Sequence, residues 1–167
     1  MYAKTHVIAG AVAGYCMYPS WAGILAGSIG GLISDIDETK SYLGRLVLPI
    51  SVILKYTIKH RTLSHSLLFA SGLTIVLAPI LFLFFHTWLI SLAFFAGVIS
   101  HILGDMITGR VQLFWPYQKK YGIRMPFLVY RFVDIVFRSA LIVLIVYKLI
   151  SGDVIAHLLA NTKDLLG

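Results

Sequence analysis

Acidic residues are scarce in this chain. Seven Asp and Glu stand against fourteen Lys and Arg in 167 residues, and charged residues of both signs make up only 13%, where an ordinary soluble domain carries roughly 25%. There is one cysteine, Cys16, which excludes an internal disulfide and with it the small secreted disulfide scaffolds. Low-complexity tracts and countable repeats are missing too, so neither a disordered chain nor a repeat array fits. What is plentiful is apolar: 59% of the residues are hydrophobic and the mean hydropathy is +0.87. The composition excludes almost every soluble enzyme and points to a polytopic membrane protein folded as one domain, residues 1–167. The N-terminus does not read as a signal peptide, because Lys4 is the only early charge and the apolar stretch after it is interrupted by His6 and two glycines; the chain reads as unprocessed. In so apolar a sequence the net charge of +7 records membrane orientation, and no nucleic-acid partner is expected.

The pattern along the chain predicts an all-α membrane bundle of two back-folded helical hairpins plus a further span. Residues 5–34 are apolar and Gly-rich. A straight helix of that length would run about 45 Å, well beyond the roughly 30 Å hydrocarbon core. A turn at Tyr18-Pro19-Ser20 divides it into two short helices, 5–17 and 20–34, since the residue before proline disfavours helix. Gly23, Gly27 and Gly31 recur every four residues, a bare stripe suited to close packing of helices. Residues 42–58, with Arg45 and Lys55 among Leu, Val and Ile, read as an interfacial segment. Residues 65–85 and 88–104 read as a transmembrane hairpin turning at His86-Thr87, 106–126 as a polar loop, 127–150 as a further span and 152–167 as a surface tail. Folded so, eleven of the basic residues lie on one side, from Lys4 to Arg131, while Lys148 and Lys163 lie on the other. The first side is therefore expected to face the cytoplasm, in a multi-pass protein of the cell's inner membrane.

Histidines and aspartates gather on that same side, although the orientation argument used only Lys and Arg. His6 opens the first short helix. Asp35 and Asp37 end the second, His60 and His65 precede the long hairpin, and His101 and Asp105 lie four apart on one helical face at its end. Carboxylates crowded at a low-dielectric boundary repel one another, and a divalent cation sharing neutral imidazoles would relieve them. Four His and three Asp exceed what one tetrahedral ion with an open position needs, so one or two ions are expected. Mixed N/O ligation suits a transition metal, Zn first, with Mn or Fe(II) as alternatives. The expected chemistry is attack by metal-activated water, with Asp37 or a neighbouring carboxylate (Asp105) taking its proton and His65 completing the catalytic set. Arg61, Arg110 and Thr108 flank these ligands as candidate substrate contacts, the arginines suited to a phosphate. Thr62 and Ser64 are plausible N-caps for the span that comes next, and Asp134 with Arg138 reads as an intramembrane ion pair.

Four motifs carry a resemblance. Thr5-His6, Gly30-Gly31-Leu32-Ile33-Ser34-Asp35-Ile36-Asp37, His60-Arg61-Thr62-Leu63-Ser64-His65-Ser66 and His101-Ile102-Leu103-Gly104-Asp105-Met106-Ile107-Thr108, trailed by Gly109 to Pro116, resemble the YdjM-type inner-membrane, metal-dependent hydrolases. The likeness covers about residues 5–117, the motif-bearing core, while 118–167 add a span and a tail. It implies metal-binding His and Asp residues and a hydrolytic activity; a phosphate role for Arg110 is no part of it. A more distant likeness is to zinc-dependent phospholipase C. Together these lead to the expectation of an integral membrane hydrolase cleaving an ester or phosphoester. Its substrate would be amphiphilic and anionic, with membrane lipids as partners. The alternatives are a metal transporter or sensor, which would need ligands near the midplane and exits to both faces, and a membrane scaffold with a structural metal.

Overall fold

The computed structural model describes residues 2–57, 61–151 and 155, the side chain of Leu149 excepted. Among the described residues there are seven α-helices and no strand, only an isolated antiparallel bridge between Val111 and Tyr121. The expected turn at Pro19 is present: α1 spans Ala3–Met17 and α2 spans Trp21–Ile33, with the Ser20 side chain capping α2 through the Gly23 amide. A 3-10 turn over Ser34–Asp37 comes next, then α3 (Tyr42–Leu46) and α4 (Leu48–Thr57), whose apolar side chains are largely exposed. Pro49 sits in the first turn of α4, where its missing N–H costs nothing.

The long hairpin is α5 (Leu67–Phe85) and α6 (Leu89–Thr108). Both are long and apolar enough to cross a membrane. They bury their surfaces very differently. In α5 Leu68, Ile75, Val76, Ile80, Leu83 and Phe84 are each at least half exposed, a continuous apolar face that suits lipid and not water. In α6 Ile90, Ala93, Phe94, Val98 and Ile102 are buried and form most of the core, joined by Ala26 of α2 and Ala70 of α5. His86 ends α5 in the left-handed region (φ 53°), and Phe82 stacks on Trp88 at 4.4 Å across the turn.

Two boundaries differ from expectation. α5 begins at Leu67 because Ser66, not Thr62 or Ser64, is its N-cap, accepting from the Phe69 amide at 3.1 Å. α6 continues four residues beyond 104, where Thr108 Oγ1 donates to the Gly104 carbonyl and the Ile123 amide donates to Met106 O. α7 (Phe127–Ile150) covers the 127–150 expected as a further span but, carrying Arg131, Asp134, Arg138 and Lys148, is not among the helices apolar enough to cross a membrane. Beyond Ser151 only Ile155 of the tail is described, so the expected surface helix lies outside the described residues.

Glycine sets the spacing of α1, α2 and α6. A methyl group at Gly27 would overlap the Gly10 carbonyl of α1, and one at Gly97 of α6 would overlap the Gly27 carbonyl. The Gly23/Gly27/Gly31 stripe is thus half of a seam in which backbone touches backbone, the arrangement small residues permit. The second half is Gly10 and Gly14 of α1. Because both hairpins reverse at the far end, the start of α1, the end of α2, the approach to α5 and the end of α6 meet at the near end.

Candidate metal centre

Five side chains converge there. His101 and Asp105 project from one face of α6, His6 from the first turns of α1, Asp35 from the 3-10 turn after α2, and His65 from the 3-10 turn before α5. His65 Nε2 lies 3.2 Å from His101 Nε2, 3.4 Å from Asp105 Oδ2 and 3.8 Å from Asp35 Oδ1, and Asp35 Oδ1 is 3.6 Å from His101 Nε2. His6 Nε2 is 3.2 Å from Asp105 Oδ1, and its ring stacks on that of His101 at 3.7 Å. Ligands held at 2.0–2.1 Å around a tetrahedral ion stand about 3.3–3.4 Å apart, so these separations are those of a ligand shell. Two groups of three have atoms close enough to share an ion: Asp35, His65 and His101; and His6, His101 and Asp105.

Neighbouring groups determine which ring nitrogen carries the proton. His101 Nδ1 is 2.7 Å from the Gly31 carbonyl, which can only accept, so Nδ1 is the donor, and in a neutral ring Nε2 bears the lone pair. Ser64 Oγ donates its one proton to Asp37 Oδ2 at 2.7 Å; it must then accept from His65 Nδ1 at 2.9 Å, which leaves a lone pair on His65 Nε2 as well. With both rings neutral, two lone pairs face each other at 3.2 Å. Burial pushes the His65 imidazole below its ordinary 6.5, against the pull of Asp105 and Asp35, so a proton is a poor occupant of that gap. A cation is a good one, and these residues fit a divalent transition metal. Burial opposes ionisation of Asp35, but in the metal-free protein the His101 and His65 rings beside it, once protonated, outweigh this and hold the carboxyl at about 2.

The cluster is enclosed on most sides: His65 and His101 are fully buried, and His6 and Asp105 nearly so. Its accessible side is marked by Asp35 and Arg61, whose side chains are 20% and 32% exposed. Arg61 Nε stands 3.0 Å from Asp105 Oδ2, an ion pair whose N–H is not aimed for a hydrogen bond. Arg61 is in the left-handed region (φ 61°), its carbonyl accepts from the Gln112 amide, and its guanidinium passes over Gly109, where a methyl group would overlap Nη1.

The structure thus brings together His6, Asp35, His65, His101 and Asp105, with Arg61 against them. Asp37 stands behind His65, bound to it through Ser64, and is in neither group of three. Thr108 donates its hydroxyl proton to its own helix, and Arg110 is exposed at the loop's start. His60 lies outside the described residues. The pair of Asp134 with Arg138 is present at 3.5 Å, and Asp134 also accepts from the Tyr2 amide and the Thr5 hydroxyl, which fixes the start of α1 one residue before His6. The sequence pattern did not single out Ser64 or the Gly31 carbonyl as orienting groups. A hydroxyl adjacent to a ligand histidine is a faint signal for the first, and nothing local signals the second.

Comparison with known proteins matches the chain to inner membrane proteins. The family described as YdjM inner membrane protein matches residues 1–161. A protein of Bacillus subtilis (strain 168), "Uncharacterized protein YvsG", is 31% identical over 136 residues, 75% of this chain and 79% of its own length. "Inner membrane protein YdjM" of Escherichia coli (strain K12), and its namesake in Shigella flexneri, are each 36% identical over 103 residues, 59% of this chain. The chain spans half the length of those two relatives. No solved structure matches, and the more distant likeness to phospholipase C has no support in these matches.

Proposed function

The chain belongs to the YdjM inner membrane protein family, and from that premise we propose that it is a metal-dependent hydrolase. It would act on the ester or phosphoester of an amphiphilic, anionic substrate at the cytoplasmic face of the inner membrane. One observation carries the reading: the Nε2 atoms of His65 and His101, whose other ring nitrogens bond Ser64 and the Gly31 carbonyl, converge with Asp35 and Asp105 at ligand-shell distances. His101 stands in both groups of three but has one nitrogen to give. The first ion is therefore assigned to Asp35, His65 and His101, and a second would rely on His6 and Asp105. A divalent ion, when bound, would supply an acidified water and a Lewis acid for the ester. The chain's own residues do the rest. Asp105 and Asp35 can accept a proton from that water, Asp37 and Ser64 hold the His65 ring, and Arg61 on the accessible side can take an anionic oxygen.

The cytoplasmic placement and multi-pass topology rest on the bias of basic residues toward the end that bears the cluster. The partial exposure of Asp35 and Arg61 favours catalysis over a purely structural ion, which needs no accessible side. Elemental analysis of the detergent-purified protein should give one or two equivalents of a transition metal. The loaded protein should hydrolyse phospholipid or generic phosphoester substrates; His65→Ala should abolish both metal and turnover, and Asp105→Ala should abolish turnover and any second equivalent of metal. Metal-free protein as purified, or full turnover in either variant, would overturn the proposal.

A further inference from the structure

A second polar feature lies between the start of α1 and α7. It is a cleft of about 440 Å³ lined by Tyr2, Ala3, Lys4, Arg131, Ile135 and Arg138. Three of these six are cationic. The carboxylate nearest them, Asp134, is fully buried beneath and already receives the Tyr2 amide at 2.9 Å, the Thr5 hydroxyl at 3.0 Å and Arg138 at 3.5 Å. Among the described residues neither Lys4 nor Arg131 has an ion-pair partner, and both are exposed. The cleft thus carries an excess of about two positive charges, at the positive end of the α1 dipole, whose first turn has no acidic residue. Orientation charge accounts for basic residues near a membrane in general. It does not require three of them to line one concavity. Beside the cleft α7 exposes Phe132, Ile135 and Val136, an apolar strip set between Arg131 and Arg138 of the cationic rim.

A phosphate at the rim with hydrocarbon along that strip is the shape of a lipid, and a free phosphate has no use for the strip. We propose that this cleft binds the phosphate of an anionic membrane lipid, with Lys4 and Arg131 as the contacting cations and Arg138 shared between the ligand and Asp134. The site is separate from the metal centre and does not depend on a hydrolytic activity. It borders that centre through Asp134 and Thr5, which hold the helix start that carries His6.

The test is native mass spectrometry of the full detergent-purified chain titrated with phosphatidylglycerol or phosphatidylcholine, with inorganic phosphate as a competitor. The wild type should retain one phosphatidylglycerol molecule in preference to phosphatidylcholine. Lys4→Gln with Arg131→Gln should weaken that adduct about tenfold or more, as two lost surface cations imply, and leave phosphatidylcholine binding unchanged. Lys4→Arg with Arg131→Lys should restore it. Equal metal content in all forms shows that the fold is kept. Undiminished phosphatidylglycerol binding by the glutamine variant, or equal retention of the two lipids by the wild type, would overturn the assignment. So would displacement of the lipid by equimolar inorganic phosphate, which would make free phosphate the ligand.

Discussion

Ser64 sits between Asp37 and His65 and determines which nitrogen of the ring is free. Ser64→Ala should therefore lower metal affinity by 10- to 100-fold without unfolding the chain, and Ser64→Thr should recover most of it, as chelator competition would measure. The same ring makes the metal-free protein acid-sensitive. The His65 imidazole is held below its unfolded value of 6.5 by burial, so the unfolded chain binds the proton first as the pH drops. The stability this neutral ring allows is complete above pH 6.5 and is lost progressively below it. Asp35 acts lower, its contribution disappearing between 3.8 and about 2. Unfolding midpoints of metal-free protein should fall from pH 7.5 to pH 5, and His65→Asn should flatten that dependence. At this scale the clustering was legible, because His and Asp in so apolar a chain have few reasons to gather. The place of Ser64 behind His65 was not, since a hydroxyl that orients a ring looks like a helix cap in one dimension.

Among the helices, the glycine seam does the positioning. Gly27 meets Gly10 on one side and Gly97 on the other, so Gly27→Val would force three backbones apart. Overpacking of this kind costs about 1–3 kcal/mol. Because the seam also sets where Gly31 and His101 meet, metal should be lost together with stability, a pairing that denaturant titration and elemental analysis can check in one preparation. Gly72 of α5 has nothing within reach of an added methyl, and Gly72→Ala should be tolerated. The two hairpins were readable from Pro19 and from the polar break at His86-Thr87. The helix ends were less so. Ser66 lies among three hydroxyl residues that could each cap α5, and only the tertiary use of Ser64 decides between them. α6 outruns its apolar stretch because the loop after it folds back onto Met106.

At the level of the whole molecule, the proposed topology places the metal cluster and the Pro19 turn on opposite sides. The lone cysteine, Cys16, is exposed near that turn. Membrane-impermeant thiol reagents should reach a cysteine introduced as Lys120→Cys in a Cys16→Ser background only from the cytoplasmic side. Labelling from outside intact cells would contradict the orientation. That bias was legible from Lys and Arg alone, whereas the packing of α7 against α1 was not: Asp134 and Thr5 lie 129 residues apart and nothing local pairs them.

The two hairpins also differ in reach. At 1.5 Å per residue, α5 and α6, with 19 and 20 residues, reach about 28–30 Å, whereas α1 and α2, with 15 and 13, reach only about 20–22 Å. Since the cluster holds the four ends level on the near side, the deficit falls wholly on the other. In the proposed topology the outer leaflet would dimple toward the Pro19 turn, so the protein should favour thin, short-chain bilayers and lose stability as acyl chains lengthen.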